Sequence, residues 1–118
     1  MVDVVYTDEF GDWYLGLDKA DQEAVVHIVG LLEARGVKLG YPHSSSLKGT
    51  KHPLRELRKQ SQGKPLRIIY AFDPRRQTVL LIGGDKTGDD AFYNRIIPLS
   101  ERLWEQYLKE QVEGLHDE

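Results

Sequence analysis

The run Leu66-Arg67-Ile68-Ile69-Tyr70-Ala71-Phe72 sets an arginine inside an otherwise apolar strand. Strand alternation puts Leu66, Ile68, Tyr70 and Phe72 on one face, and Arg67, Ile69 and Ala71 on the other. A guanidinium among apolar neighbours is costly to bury without an anion. Its partner is either Glu56 on the preceding strand, as a cross-strand ion pair, or a phosphate held in bidentate fashion. Arg55 and Arg58 lie on one adjacent strand and Lys86 follows the other, so three segments can bring cations to one place. If the phosphate belongs to RNA, the site has three tasks: making a ribose 2′-hydroxyl more nucleophilic, neutralising the phosphorane, and protonating the leaving 5′-oxygen. None of them requires a metal. Tyr93, just past Lys86, can stack on a base or help with proton transfer.

The charge distribution points to the same region. The net charge is −3, but residues 41–76 carry nine basic side chains against only Glu56 and Asp73, a local balance of +7. Residues 1–40 and 77–118 each carry −5. In a chain of pI about 5.8, that split suggests a local polyanion site and not a surface that coats nucleic acid generally. Arg55, Lys48, Lys51 and Lys59 are the candidates for contacts to an RNA backbone. The plain alternative is a solvated basic face.

Other chemistries find little support. Gly83-Gly84-Asp85-Lys86-Thr87-Gly88 lacks the order and the strand-to-helix setting of a phosphate-cradling loop. His27, His43, His52 and His116 are scattered without metal-ligand spacing, and only His52, beside Lys51 and Arg55, is placed for acid–base work. Asp89 and Asp90 read as a helix start and not as metal ligands. No cofactor or metal is expected. With no cysteine there is no thiol chemistry. A length of 118 residues predicts one domain spanning 1–118, and 40% hydrophobic with 30% charged residues predicts a soluble globule. No apolar run approaches a membrane span and no signal peptide is visible, so a cytoplasmic protein without a membrane partner is expected.

The elements that must position these residues can be read from periodicity. Val2 to Tyr6 forms a strand, with Asp8 available to cap the first helix. Phe10, Trp13, Tyr14 and Leu17 predict that helix to be short, and Asp18 starts a longer one that ends at Gly36. Residues Gly36 to Pro53 read as a long connection. Strands at Leu54–Lys59, Leu66–Asp73 and Thr78–Gly83 form an antiparallel meander, the last apolar on both parities and so covered on both faces. A helical segment from Ala91 is interrupted at Pro98, Ser100 caps a final helix, and the acidic tail 113–118 frays.

This order of elements, with Leu54-Arg55-Glu56-Leu57-Arg58, Arg67 to Phe72 and Leu81 to Gly88, resembles the RelE/ParE toxin superfamily, and within it the HigB-like, phage-derived branch. The resemblance extends from the first strand to about Leu108. It implies an α+β fold in which two N-terminal helices pack on a twisted, mainly antiparallel sheet, with a C-terminal helix. It also implies the toxin of a type II toxin–antitoxin module: a ribosome-dependent, metal-independent endoribonuclease that cuts mRNA and leaves a 2′,3′-cyclic phosphate. The partners implied are the ribosome, mRNA and a cognate antitoxin, a HigA-like helix-turn-helix protein. Carried over by position, Arg67 matches the arginine that contacts the scissile phosphate. Lys86 matches a basic residue after the last strand, Arg58 a basic position at the end of its strand, and Tyr93, or its neighbour Phe92, a tyrosine. Where RelE has two lysines this chain has Leu54 and Glu56, so Glu56 is either the general base or a partner of Arg67. The competing readings are a ParE-like gyrase inhibitor and a non-catalytic binding protein of the same fold.

Overall fold

Thr7 and Asp18 set where the first two helices begin. In the computed structural model, which describes residues 2–117, β1 (Val4–Tyr6) leads into α1 (Asp8–Leu15). The cap of α1 is Thr7 and not the expected Asp8. Thr7 keeps the extended backbone of a cap, its Oγ1 accepts from the Phe10 amide at 3.0 Å, and the same hydroxyl donates to the Leu81 carbonyl at 2.6 Å. Asp8 is already helical, placed in the first turn where the dipole favours an acid. Asp18 caps α2 (Lys19–Arg35) by accepting from the Asp21 amide at 2.9 Å. Gly36, at φ 55°, closes the helix in a conformation that disfavours a side chain.

The strands β2 (Ser44–Ser46), β3 (Arg55–Ser61), β4 (Lys64–Phe72) and β5 (Thr78–Asp85) join β1 in one sheet of order β1-β5-β4-β3-β2. All pairings are antiparallel except β1 with β5. β2 lies within the stretch expected to be loop. Three serines carry no apolar alternation, and what holds them is pairing to β3 with hydrogen bonds from Arg55 to the Ser44 and Ser46 hydroxyls.

α1 and α2 cover one face of the sheet, where Phe10, Ile28 and Leu32 meet Leu57, Ile68, Tyr70 and Leu80. α3 (Phe92–Asp117) covers the other, where Ile96, Leu103 and Trp104 meet Ile69, Ala71, Val79 and Leu81. This is a mixed α+β fold, and the predicted cover on both faces of β5 is present. A bulge where β5 passes Ile69 and Tyr70 turns both Leu81 and Ile82 toward α3. The glycines beside it permit close packing. A Cβ on Gly83 would stand 2.3 Å from the Trp13 ring, and one on Gly84 would stand 2.7 Å from Phe92.

The expected break at Pro98 is absent, because α3 runs through it as one helix. Ser100 accordingly caps nothing; its buried hydroxyl donates to the Ile96 carbonyl at 2.7 Å within the helix. The start is set instead by Asp89, whose carboxylate accepts from the Ala91 amide and pairs with Arg95. The helix is carried to Asp117, into the stretch expected to fray, and Glu118 lies outside the described residues. Among the described residues no helix is long and apolar enough to cross a membrane.

Candidate functional site

Strand register decides which of the basic residues meet. The β3–β4 hairpin closes through Gln62 and Gly63, both at positive φ, the pattern that fixes a two-residue turn. From that turn the register places Arg58 opposite Arg67 and Glu56 opposite Ile69, all on the α3 face. The anticipated Glu56–Arg67 pair therefore does not form. Across from Arg67 stands another arginine.

Arg67 is buried at 6% exposure, its Nη1 donates to the Leu66 carbonyl at 3.0 Å, and its Nε has no hydrogen-bond partner among the described residues. A buried guanidinium donor left open, facing a like charge, is unfavourable unless an anion arrives between them. Glu56, also buried, turns to other groups. It accepts from the Tyr93 hydroxyl at 2.8 Å and more loosely from Ser45 at 3.4 Å, and stands 3.9 Å from Arg58 Nε.

Tyr93 and Lys86 complete the cluster. Phe92 is buried in the core, so of the two aromatic neighbours it is Tyr93 that reaches the site. Lys86 Nζ lies 5.2 Å from the centre of the Tyr93 ring. Burial, and then the Glu56 carboxylate, push the Tyr93 hydroxyl above its ordinary value, while Arg67 pulls the other way. Tyr93 thus keeps its proton at neutral pH and donates a hydrogen bond to Glu56. Beside the two arginines opens a cleft of about 390 Å³ whose wall includes Tyr41 and His43. Sequence reasoning misses these two residues as part of the site, because the connection they belong to has no period. A larger groove of about 760 Å³ between α1, α2 and β1 is mainly apolar with an acidic rim, and lies away from the cations.

Of the other predicted contacts Lys59 also borders the cleft beside the two arginines, although its amine is engaged by His27 of α2, and the rest lie elsewhere. Arg55 is on the α2 face, bonded to Ser44, Ser46 and the Tyr70 hydroxyl. Lys59 turns to the same side and meets His27 Nδ1 at 3.2 Å. The convergence expected of Arg55 with Arg67 is corrected by parity, since residues three apart on a strand face opposite ways. Lys48 and Lys51 sit in the loop that Glu101 holds by accepting from the Lys51 and His52 amides. Glu101 is eight residues beyond Tyr93, roughly 12 Å along α3. His52 is bound to Glu105 at 3.0 Å, a tie between loop and helix. Among the described residues no group of three or more His, Asp or Glu is placed to hold a metal ion.

Residues 12–105 match the family described as Phage derived protein Gp49-like (DUF891). A Mycobacterium tuberculosis protein named "Putative toxin HigB3" is 34% identical over 94% of this chain and 97% of its own length. A second from that organism, "Putative toxin HigB2", is 35% identical over 81% of this chain, which matches only about half (49%) of it. Among solved structures, the archaeal RelE–RelB complex from Pyrococcus horikoshii superposes at a TM-score of 0.54 and 18% identity, over 74% of this chain and 97% of that one. A metal-bound toxin from Helicobacter pylori superposes at 0.51 and 19% identity, over 72% and 94%. At such identities the structural likeness concerns the fold.

Proposed function

Because this chain belongs to the phage-derived Gp49-like family and has a HigB-named relative along nearly its whole length, we propose that it is the toxin of a type II toxin–antitoxin module and a ribosome-dependent mRNA endoribonuclease. The observation that carries the reading is the Arg58–Arg67 apposition with its open buried donor. In this reading the scissile phosphate takes the place between the two guanidinium groups. Glu56 accepts the proton of the ribose 2′-hydroxyl, and the 2′-oxygen attacks phosphorus. Arg58 and Arg67 neutralise the phosphorane. The bond to the 5′-oxygen then breaks, Lys86 protonates the leaving oxygen, and the products are a 2′,3′-cyclic phosphate and a 5′-hydroxyl end. Tyr93 holds Glu56 in place, and the chemistry uses no metal.

A cognate antitoxin, a HigA-like helix-turn-helix protein in this proposal, would silence the site by laying acidic side chains over the two arginines. The whole chain acts as one toxin domain in the cytoplasm. The test is cleavage of mRNA on programmed ribosomes by the wild type and Arg67→Ala, with a ribosome-free control. Ribosome-dependent cleavage lost in the variant is the expected result. Intact mRNA with folded wild-type protein overturns the nuclease and leaves gyrase inhibition or RNA binding without cleavage to be tested.

A further inference from the structure

Tyr41 is 81% exposed, yet its position is fixed. The turn that carries it is closed by the His43 and Ser44 amides on the Gly40 carbonyl at 3.0 and 3.1 Å, and is fastened to β3 by the Arg58 amide on the His43 carbonyl at 2.9 Å. A single exposed aromatic residue is by itself unremarkable. Here the Arg58 guanidinium lies 5.9 Å from the ring centre, and the ring stands at the wall of the cleft that Arg67 also lines. The same Arg58 thus stands beside the ring of Tyr41, the Glu56 carboxylate and the gap in front of the unpartnered Arg67 Nε.

Resting on the proposal that this cleft takes RNA, we propose that Tyr41 is a stacking platform for a nucleobase whose adjoining phosphate lies between Arg58 and Arg67. A phenol ring backed by a guanidinium offers a flat, preorganised face to a base, and the cations next to it receive the backbone to which that base is attached. Every base has a π-face, so the platform holds the strand without choosing the base. The ligand is single-stranded RNA, since a paired base cannot leave its stack for the ring at low cost.

The test uses a short RNA carrying 2-aminopurine, methylated at every 2′-oxygen so that it binds but cannot be cut. Stacking on Tyr41 changes the 2-aminopurine fluorescence on binding to the wild type and to Tyr41→Phe. In Tyr41→Leu the change disappears and affinity falls roughly 10- to 100-fold. The ring is exposed, so the variants are expected to melt with the wild type, which a thermal scan checks. An unchanged signal on binding the wild type, or Tyr41→Leu binding with the wild-type signal and affinity, overturns the proposal. The two readings fail separately. Fluorescence that depends on Tyr41 in a protein that cuts nothing supports the platform and removes the nuclease. Normal mRNA cutting by Tyr41→Leu with unaltered oligonucleotide binding leaves the nuclease and removes the platform.

Discussion

Arg58 and Arg67 face each other directly across β3 and β4, and among the described residues the buried Arg67 Nε finds no acceptor. Directly opposed like charges weaken a sheet, and a buried polar donor without a partner costs about 1–3 kcal/mol. In the proposed reading an arriving anion satisfies that donor and lies between the two cations, which separates the value of Arg67 to function from its value to structure.

Replacing Arg67 by Met tests that separation. Thermal stability is expected to be unchanged or raised by about 1 kcal/mol, since an apolar side chain of similar size removes both the repulsion and the orphan donor. Cleavage on the ribosome is expected to fall by a factor of about 10² to 10³. Melting curves and single-turnover rates measured on one preparation decide it; a large loss of stability with activity kept would contradict the assignment.

Inorganic phosphate should stabilise the wild type by mass action, by about 1.4 kcal/mol at ten times its dissociation constant. The Arg67→Met protein should show no such rise. Differential scanning fluorimetry across a phosphate series at constant ionic strength checks this, and equal shifts in both proteins would place the anion elsewhere.

The Tyr93 hydroxyl is held above its ordinary value, first by burial and then by Glu56, so it stays protonated throughout the neutral range. Tyr93→Phe should lower the cleavage rate without altering the shape of the pH profile between about pH 6 and 9. Glu56→Gln, which removes the carboxylate proposed to accept the 2′-hydroxyl proton, should instead lower the rate by a factor of about 10² or more across the same range. A limb near neutrality that vanishes in Tyr93→Phe would show that Tyr93 itself titrates in the reaction.

Asp21 links stability to pH. It is buried at the start of α2, accepts from the Ser61 hydroxyl at 2.6 Å and the Gln62 amide at 3.0 Å, and pairs with Lys64. These bonds, with Lys64 foremost, bring its carboxyl down from 3.8 to about 2. The folded value lies below the unfolded one, so the stabilisation is complete above about pH 4 and drains away as pH falls toward 2. Asp21→Asn should lower the melting temperature at pH 7 and flatten its dependence across that acid window. An undiminished slope in the variant would assign the effect to other acids.

The face of Arg67 is legible in the sequence because alternation in Leu66 to Phe72 is regular. Its partner is not, since a cross-strand neighbour depends on register, and register depends on a turn narrower than Gln60–Pro65 suggests. The side of the sheet that Arg55 takes could have been read by counting: Arg55 and Arg58 are an odd number of residues apart and leave any strand on opposite faces. β2 and the Tyr41 turn are hidden because side-chain hydrogen bonds and packing against β3, and no apolar pattern, hold them. Pro98 misleads in the opposite direction, since tertiary packing of Ile96, Leu103 and Trp104 keeps the helix going past a residue that breaks it in isolation.

In the proposed reaction a ribose 2′-oxygen attacks a phosphate held between Arg58 and Arg67. This step is tested most directly by programming ribosomes with an mRNA cut by the wild type and with a copy lacking only the 2′-hydroxyl at the cut nucleotide. The first is expected to yield a 2′,3′-cyclic phosphate end and the second to stay intact at that position. Cleavage of the 2′-deoxy copy at the same bond would contradict it.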